Sequence, residues 1–225
     1  MNRWLLYILV AVTLVFPLKW AVAAGESGSA DYSSLSFAVN YVYRTAGVRE
    51  LKTIENGDAL QSGDHYKIVF TPDKDCYVYI FQVDSSGQIF QLFPMRSFRE
   101  VRVNNFNPVK KGKAYILPSP DKAFVLDKVV GVERIYFIAS ADRDEQLEGL
   151  YSDLKKAVNS KNSGEPRDTR SKLNTYFRRR GIKVVPSEQH VEIPWRQTGD
   201  LFSVMGQRIE NLGSDSIHVL EFAHK

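Results

Sequence analysis

The chain has 225 residues, a formal net charge of +4 and one cysteine. A chain of this length forms one domain with a proper core, or a domain with a small appendage, and does not need disulfides to fold. The single cysteine excludes an internal disulfide. Removing the first 24 residues takes away two cations and leaves a net charge of about +2, which argues against broad nucleic-acid binding.

The N-terminus predicts export. Arg3 is followed by an almost uncharged apolar run over 5–18 and then by small residues. This order is typical of a secretory signal peptide, here over 1–24 with cleavage after Ala23 or Ala24. An uncleaved anchor is less favoured, because the apolar run is shorter than the roughly 20 residues of a span and a lysine interrupts its end. We therefore predict a mature protein that is soluble or peripheral, in the periplasm or outside the cell.

A polar leader and two alternating stretches come next. Residues 25–35 are small and polar, and predict a flexible leader. The stretch 35–44 places Phe37, Val39, Tyr41 and Tyr43 on one side, at the period of two that a strand imposes. Two turn signals, Asn56-Gly57-Asp58 and Ser62-Gly63-Asp64, then precede a second alternating stretch over 66–70. These features indicate a β-rich domain.

The stretch CYVYIFQVDSSGQIFQLFP, residues 76–94, predicts a hairpin. Tyr77, Tyr79, Phe81 and Val83 alternate with Cys76, Val78, Ile80 and Gln82. Both faces are largely apolar, as in a central strand that is covered on two sides. The run 84–87, Asp-Ser-Ser-Gly, has the composition of a hairpin loop, and 88–93 return as the partner strand that Pro94 ends.

The last third of the chain mixes helical and strand patterns. Another interior strand is predicted over 133–139. Apolar residues then recur at spacings of three and four, which predicts one face of an amphipathic helix: Leu147, Leu150, Tyr151, Leu154 and Val158. A second short helix is predicted over 169–180, with Gly181 as its C-cap, before strand-like pieces return.

Together these elements predict a mainly β fold, with β-sandwich-like antiparallel sheets and an inserted pair of C-terminal α-helices, α+β overall. We expect a single β-rich domain over 36–225, from which the helices depart at about 143–181.

The central region resembles an exported bacterial family catalogued as domain of unknown function 4384. The resemblance covers roughly 55–141 and rests on the order of its motifs, from Leu60–Ile68 through Cys76–Gly87, Leu92–Pro94, Tyr115–Pro118 and Phe124–Asp127 to Gly131–Ser140. It implies an envelope or extracellular β module, which in some relatives accompanies caspase-like peptidase or other signalling domains. The family attributes no activity to the module, so the resemblance implies no catalytic residue.

The candidate nucleophiles have simpler structural interpretations. A reactive thiol needs a lowered pKa and a neighbouring base, whereas Cys76 opens a predicted interior strand and is more simply a buried apolar residue. Asp84-Ser85-Ser86-Gly87 lacks the Gly-x-Ser-x-Gly form of a nucleophile elbow and the carboxylates of a calcium loop. We therefore interpret it as a hairpin turn.

Charged and imidazole groups give weak signals. His218 and His224 would lie far apart on a strand, so we interpret them as solvated or stacking side chains, with a weak metal site as the alternative. Arg178, Arg179 and Arg180 suit the C-terminal turn of a helix. Three adjacent arginines exceed what a helix end needs, which makes them a candidate contact for an anionic partner.

The leading hypothesis is an exported, non-enzymatic module that binds an envelope protein or glycan without a metal or other cofactor. It predicts exposed aromatic residues or an accessible sheet edge, and no convergent polar cleft. The alternatives are a carbohydrate-binding module and a periplasmic hydrolase that acts on cell-wall material. The hydrolase would need a cleft, for which Asp64, His65 and Cys76 are the residues to inspect.

Overall fold

The computed structural model describes residues 34–160, 165–195, 199–213 and 216–225. The predicted signal peptide and nearly all of the predicted leader lie outside these residues. The described part contains helices α1 (Glu145–Asn159) and α2 (Glu165–Tyr176). Its strands are β1 (Leu35–Arg44), β2 (Lys52–Thr53), β3 (Ala59–Leu60), β4 (His65–Pro72), β5 (Tyr77–Val83), β6 (Ile89–Phe93), β7 (Met95–Phe98), β8 (Val101–Asn105), β9 (Tyr115–Leu117), β10 (Phe124–Val125), β11 (Gly131–Ser140), β12 (Arg180–Ile182), β13 (Val184–Trp195), β14 (Asp200–Leu212) and β15 (Ser216–His224).

Most strands belong to two sheets. Sheet A has the order β10-β4-β1-β14-β13, with β2 beside β1 and β9 beside β4. Sheet B has the order β12-β15-β11-β5-β6, with β3 beside β15, while β7 and β8 pair with each other. Neighbouring strands are antiparallel except where β15 pairs with β12 and β3. The predicted mainly β, α+β fold is confirmed.

The main core lies between the two sheets, and a second core lies under the helices. Phe37 of β1 meets Phe137 of β11 with ring centroids 5.0 Å apart. On β5, Val78 and Ile80 face the first core, whereas Tyr79 and Phe81 face the second. The prediction that this strand is covered on both faces is therefore confirmed.

The run 84–87 is the predicted hairpin turn between β5 and β6. The Asp84 carboxylate accepts hydrogen bonds from Gln88 N at 2.8 Å and Ser86 Oγ at 2.7 Å. Gly87 has a φ of +77°, which a residue without Cβ adopts readily. The polar atoms of this loop thus stabilise the turn itself.

Two details of the helical predictions were wrong. Val158 is 59% exposed, because Ala157, three residues after Leu154, takes the buried position instead. The second helix ends at Tyr176, so that Phe177 can stack on Tyr136 of β11 with ring centroids 4.5 Å apart. Gly181 consequently lies inside β12, where it pairs with Ile217, and does not cap a helix.

The β13–β14 hairpin separates from β1 partway along that strand. The pairing of β14 with β1 ends at Gln207 opposite Val39, and β2 joins β1 only at Val42. Beyond this point the hairpin contributes Ile193 and Val204 to a small cluster with residues of β1 and β4. The stretch of β1 between its two partners, which contains Tyr41, therefore has no strand on that side.

The close approach of Gly131 to the β5–β6 turn gives a test of the fold. Gly131 has a φ of +147°, and a Cβ added there would lie 2.5 Å from the Ser85 Cβ. We expect Gly131→Ala to lower the free energy of unfolding by about 1–3 kcal/mol through strain and overlap. Urea denaturation measures this change.

Gly149, in the exposed middle of α1, is the matched control. An added Cβ would meet nothing within 4 Å, so Gly149→Ala should raise the free energy of unfolding by about 0.5–1 kcal/mol. Equal effects of the two substitutions would contradict the packing of Gly131 against the turn.

Candidate functional site

A cavity of about 630 Å³ opens where the two sheets separate. Its lining comes from β1 and β2 on one side and from β12, β13, β14 and β15 on the other. The lining residues are Tyr41, 53–56, 181–184, Pro186, 205–207 and 218–220. The cavity thus lies beside the part of β1 that pairs with neither β14 nor β2. Its volume falls in the range of small-molecule sites.

Three buried polar atoms in the cavity lining have no hydrogen-bond partner. They are the Tyr41 hydroxyl, the Gln207 Oε1 and the His218 Nε2. Tyr41 and His218 are 1% and 4% exposed, and their ring centroids lie 5.7 Å apart. A buried polar atom without a partner costs about 1–3 kcal/mol, so several in one cavity call for an explanation.

The protonation states of this cluster follow from burial and from one hydrogen bond. His218 Nδ1 lies 2.9 Å from the Ile182 carbonyl oxygen, which can only accept, so Nδ1 carries the proton. Burial lowers the pKa of His218 and keeps the ring neutral, which leaves a lone pair on Nε2. Burial also raises the pKa of Tyr41, so its hydroxyl stays protonated. The cluster therefore offers two acceptors and one hydroxyl.

The rest of the cavity is mostly apolar in its depth and charged only at its rim. Ile54 and Leu220 are buried, and Ile182 and Val184 are half-buried. Glu55 and Lys183 are exposed. This arrangement suits the binding of a small molecule, since neutral polar groups and apolar walls meet in the depth of the cavity.

Sequence reasoning missed this site. His218 and His224 were predicted to be solvated or stacking, but both are buried, at 4% and 2% exposure. The solvated interpretation was wrong because β15 lies inside sheet B, and the two histidines share its inward face with Leu220 and Phe222. The alternation of 216–224 was the available signal. The stacking interpretation holds in part, since the rings of His218 and Tyr41 approach each other.

The aromatic residues also differ from expectation. Tyr41, Tyr79, Phe81 and Phe93 are buried, whereas Phe90 is exposed. The absence of a convergent polar cleft stays a prediction, although Tyr41, Gln207 and His218 all line the cavity. An exposed sheet edge is present, since β13 is the outermost strand of sheet A and is largely exposed.

A second polar cluster joins Ser62, His224 and Glu133. Ser62 Oγ lies 3.0 Å from His224 Nε2, and His224 Nδ1 lies 3.6 Å from Glu133 Oε1. The Glu133 carboxylate also accepts hydrogen bonds from Gln82 Nε2 at 2.8 Å and from Ser85 N at 3.3 Å. Ser62 is exposed, and the other two members of the trio are buried. The order of these groups is that of a serine–histidine–carboxylate array.

The backbone around Ser62 lacks the other half of such a catalytic centre. An oxyanion hole needs free N–H groups beside the nucleophile. The Ser62 and Gly63 amides donate to Lys225 O and Leu126 O, both at 2.9 Å. The Asp64 amide donates to Gln61 O at 3.0 Å. These amides are therefore committed to the fold, and we interpret the array as a tie between the C-terminal strand and the turn before β4.

The residues singled out for a hydrolase do not come together. Asp64 is buried and accepts a hydrogen bond from Gln61 N, and His65 begins β4. Cys76 lies beyond the other end of β4, and an eight-residue strand spans roughly 20 Å or more. Cys76 is 2% exposed, and burial raises its pKa to about 12, so it is an inert thiol at neutral pH.

The three arginines lie after α2 and not in its last turn. Arg178 is exposed, and the Arg179 guanidinium lies 3.8 Å from the centroid of the Tyr176 ring. Arg180 begins β12. The anionic-partner contact stays a prediction.

The described residues hold neither a metal-ligating cluster nor a membrane-spanning helix. No group of three or more His, Cys, Asp or Glu side chains there is arranged to hold a metal ion. Within the same residues, no helix is long and apolar enough to cross a membrane.

The array gives a second testable prediction. We expect Ser62→Ala to lower the free energy of unfolding by about 1 kcal/mol, because the contact with His224 is lost. The exposed Ser203 on β14 is the matched control, and Ser203→Ala should leave stability nearly unchanged. A fluorophosphonate probe should leave the native protein unlabelled, and mass spectrometric detection of the adduct on Ser62 would contradict the structural interpretation.

Comparison with known proteins finds one similarity, in the central part of the chain. No curated protein and no solved structure matches the chain. A family model described as Domain of unknown function (DUF4384) matches residues 59–143, under half of the chain, and confirms the resemblance seen in the motifs. This segment contains β3 to β11, whereas the residues that line the cavity all lie outside it. Residues 59–143 of the chain are therefore similar to the DUF4384 family.

Proposed function

We propose that the protein is an exported, non-enzymatic module that binds an envelope component in the cavity between its two sheets. The observation that carries this proposal is the cavity of about 630 Å³, whose lining combines apolar side chains with the polar residues Tyr41, Gln207 and His218. A cavity of this volume, with mostly apolar walls and a few polar residues, is typical of small-molecule sites. The basic, apolar and small-residue order of the N-terminus supports export to the periplasm or beyond.

The neutral character of the cluster favours binding over catalysis. His218 directs its proton to a backbone carbonyl and not to a carboxylate that would strengthen it as a base. Burial holds the Tyr41 hydroxyl in its protonated form. Groups in these states orient a ligand by hydrogen bonds and require neither a cofactor nor a metal.

A periplasmic hydrolase is the second candidate, and the Ser62–His224–Glu133 array is the observation in its favour. The engaged amides beside Ser62 weigh against it, since loss of one oxyanion donor alone costs roughly 100-fold to 1,000-fold in rate. The fluorophosphonate experiment separates the two candidates. The arginines 178–180 add a proposed secondary contact for an anionic partner.

The third prediction tests the proposal through two buried tyrosines on adjacent strands. Tyr41→Phe removes a hydroxyl without a partner, so the free energy of unfolding should stay unchanged or rise by about 1 kcal/mol. The Tyr66 hydroxyl donates a hydrogen bond to Gln82 Oε1 at 2.6 Å. Tyr66→Phe should therefore lower the free energy of unfolding by about 1–2 kcal/mol. Urea denaturation measures both changes.

The effects of the two substitutions on binding, measured by capture from envelope extract, should be the reverse of their effects on stability. Immobilised wild-type protein and Tyr66→Phe should retain the same envelope component, while Tyr41→Phe should lose it. Capture by wild type and Tyr41→Phe alike would place the binding site elsewhere. Repeated failure of the wild-type protein to retain any protein or glycan would overturn the proposed function.

A further inference from the structure

A groove runs between helix α1 and the strands β5, β6 and β7. Its volume is about 1180 Å³, which exceeds the range typical of small-molecule sites. Among the described residues, it shares no lining residue with the cavity between the sheets. We call it the α1 groove, and its accessible lining includes Tyr77, Arg96, Ser97, Phe106, Tyr151 and Lys155. A groove of this size can hold a segment of a chain molecule.

The side chains that a ligand can reach in the α1 groove are aromatic and cationic. Phe106 is 44% exposed, and Tyr77 and Tyr151 are half-buried. Arg96 of β7 and Lys155 of α1 are exposed. Cations on both the strand and the helix attract an anionic ligand, and the rings provide surface that packs against it.

Positive charge prevails in the α1 groove. The Glu148 carboxylate accepts a hydrogen bond from Arg143 Nε at 2.8 Å, so these two charges offset each other. Glu145 is then the remaining carboxylate of the described lining. The exposed Arg102 of β8 pairs with Ser97 of β7, and directly opposed residues share a face of a strand pair. Arg102 therefore adds a cation on the side of the β7–β8 pair that borders the groove.

The α1 groove continues into a smaller apolar depression of about 180 Å³. Tyr151 and Lys155 line both, so the two are continuous. Phe90 of β6 and Val158 of α1 provide apolar surface in the depression, at 44% and 59% exposure. Because covering such side chains removes apolar area from water, the depression favours a ligand with an apolar group.

The combination of charge and apolar surface favours a peptide over a polysaccharide. An anionic polysaccharide supplies carboxylates for Arg96 and Lys155. It carries no alkyl or aromatic side chain to cover Phe90 and Val158. An acidic peptide carries both kinds of group within a few residues.

We propose that the α1 groove binds an acidic peptide segment of a partner protein. The carboxylates of the peptide lie near Arg96 and Lys155. One of its apolar side chains lies against Phe90 and Val158 in the smaller depression.

Selection from a random-peptide display library tests the proposal on the protein expressed from the full chain. Selection at low salt should enrich peptides that place acidic residues next to an apolar residue, because attraction between exposed charges is screened least under that condition. Enrichment of neutral or basic peptides, or of no peptide, would overturn the proposal.

Charge reversals locate the selected peptide. Arg96→Glu and Lys155→Glu should each weaken its binding at least fivefold in fluorescence anisotropy, since an attraction becomes a repulsion. Lys128→Glu is the matched control, because Lys128 is exposed and lines neither depression. It should leave the affinity nearly unchanged. An equal loss in the control would show a general charge effect and contradict the assignment to the groove.

Two further substitutions test the apolar contact. Phe90→Ser and Val158→Ser should each weaken the peptide at least threefold, since less apolar area is then buried. Both side chains are exposed, so circular dichroism should show an unchanged fold. Peptide binding that neither serine affects would contradict the peptide assignment. Tighter, Lys155-dependent binding of polygalacturonate, which has a carboxylate on every ring, would favour an anionic polysaccharide instead.

The same titration separates this inference from the proposed function. Tyr41 lines the cavity between the sheets and lies outside the α1 groove. Tyr41→Phe should therefore leave the affinity for the selected peptide unchanged. A loss of affinity in this variant would place the peptide in the cavity and overturn its assignment to the groove.

Discussion

Edge-to-face aromatic packing between the sheets is the contact on which the rest of the structure depends. Phe70 of sheet A meets Phe93 and Phe137 of sheet B with ring centroids 5.3 and 5.4 Å apart, and Phe37 meets Phe137 at 5.0 Å. Rings in this geometry attract each other beyond their burial of apolar area. They fix the two sheets closely at the centre of the sandwich. The cavity lies away from this cluster. It borders the part of β1 between Val39, where pairing with β14 ends, and Val42, where pairing with β2 begins.

The polar atoms of the interior divide into two groups with different consequences. The network from Tyr66 through Gln82 and Glu133 to His224 and Ser62 holds β4, β5, β11 and β15 together by successive contacts. The cavity atoms have no such partners within the described fold. Buried polar groups are ordinarily paired, and native proteins retain exceptions chiefly where strain or function requires them. His224 Nδ1 of the network also lacks a hydrogen-bond partner, since it lies 3.6 Å from Glu133 Oε1. The engaged amides beside Ser62 and the volume of the cavity therefore make the cavity the better candidate site.

Local patterns predicted the parts of the fold that depend on local physics. The strand period of two identified β1, β5 and β11, and the composition of 84–87 identified the turn between β5 and β6. The second helix was misplaced because Phe177 is drawn into the core beneath the helices, a tertiary effect that no local pattern carries. The cavity was missed for the same reason. Tyr41 and His218 come from opposite ends of the chain and meet only through the packing of β1 against β15.

The position of the cavity relative to the DUF4384 segment limits what the family can say about the ligand. Residues 59–143 supply β5, β6 and β11 of sheet B and β4, β9 and β10 of sheet A, which hold most of the aromatic centre. The cavity is built by the segments before and after them, with Tyr41 on one side and Gln207 and His218 on the other. The aromatic centre and the wall of the cavity therefore come largely from different parts of the chain. Ligand binding in the cavity would depend on the flanking segments, because they provide all of its lining residues.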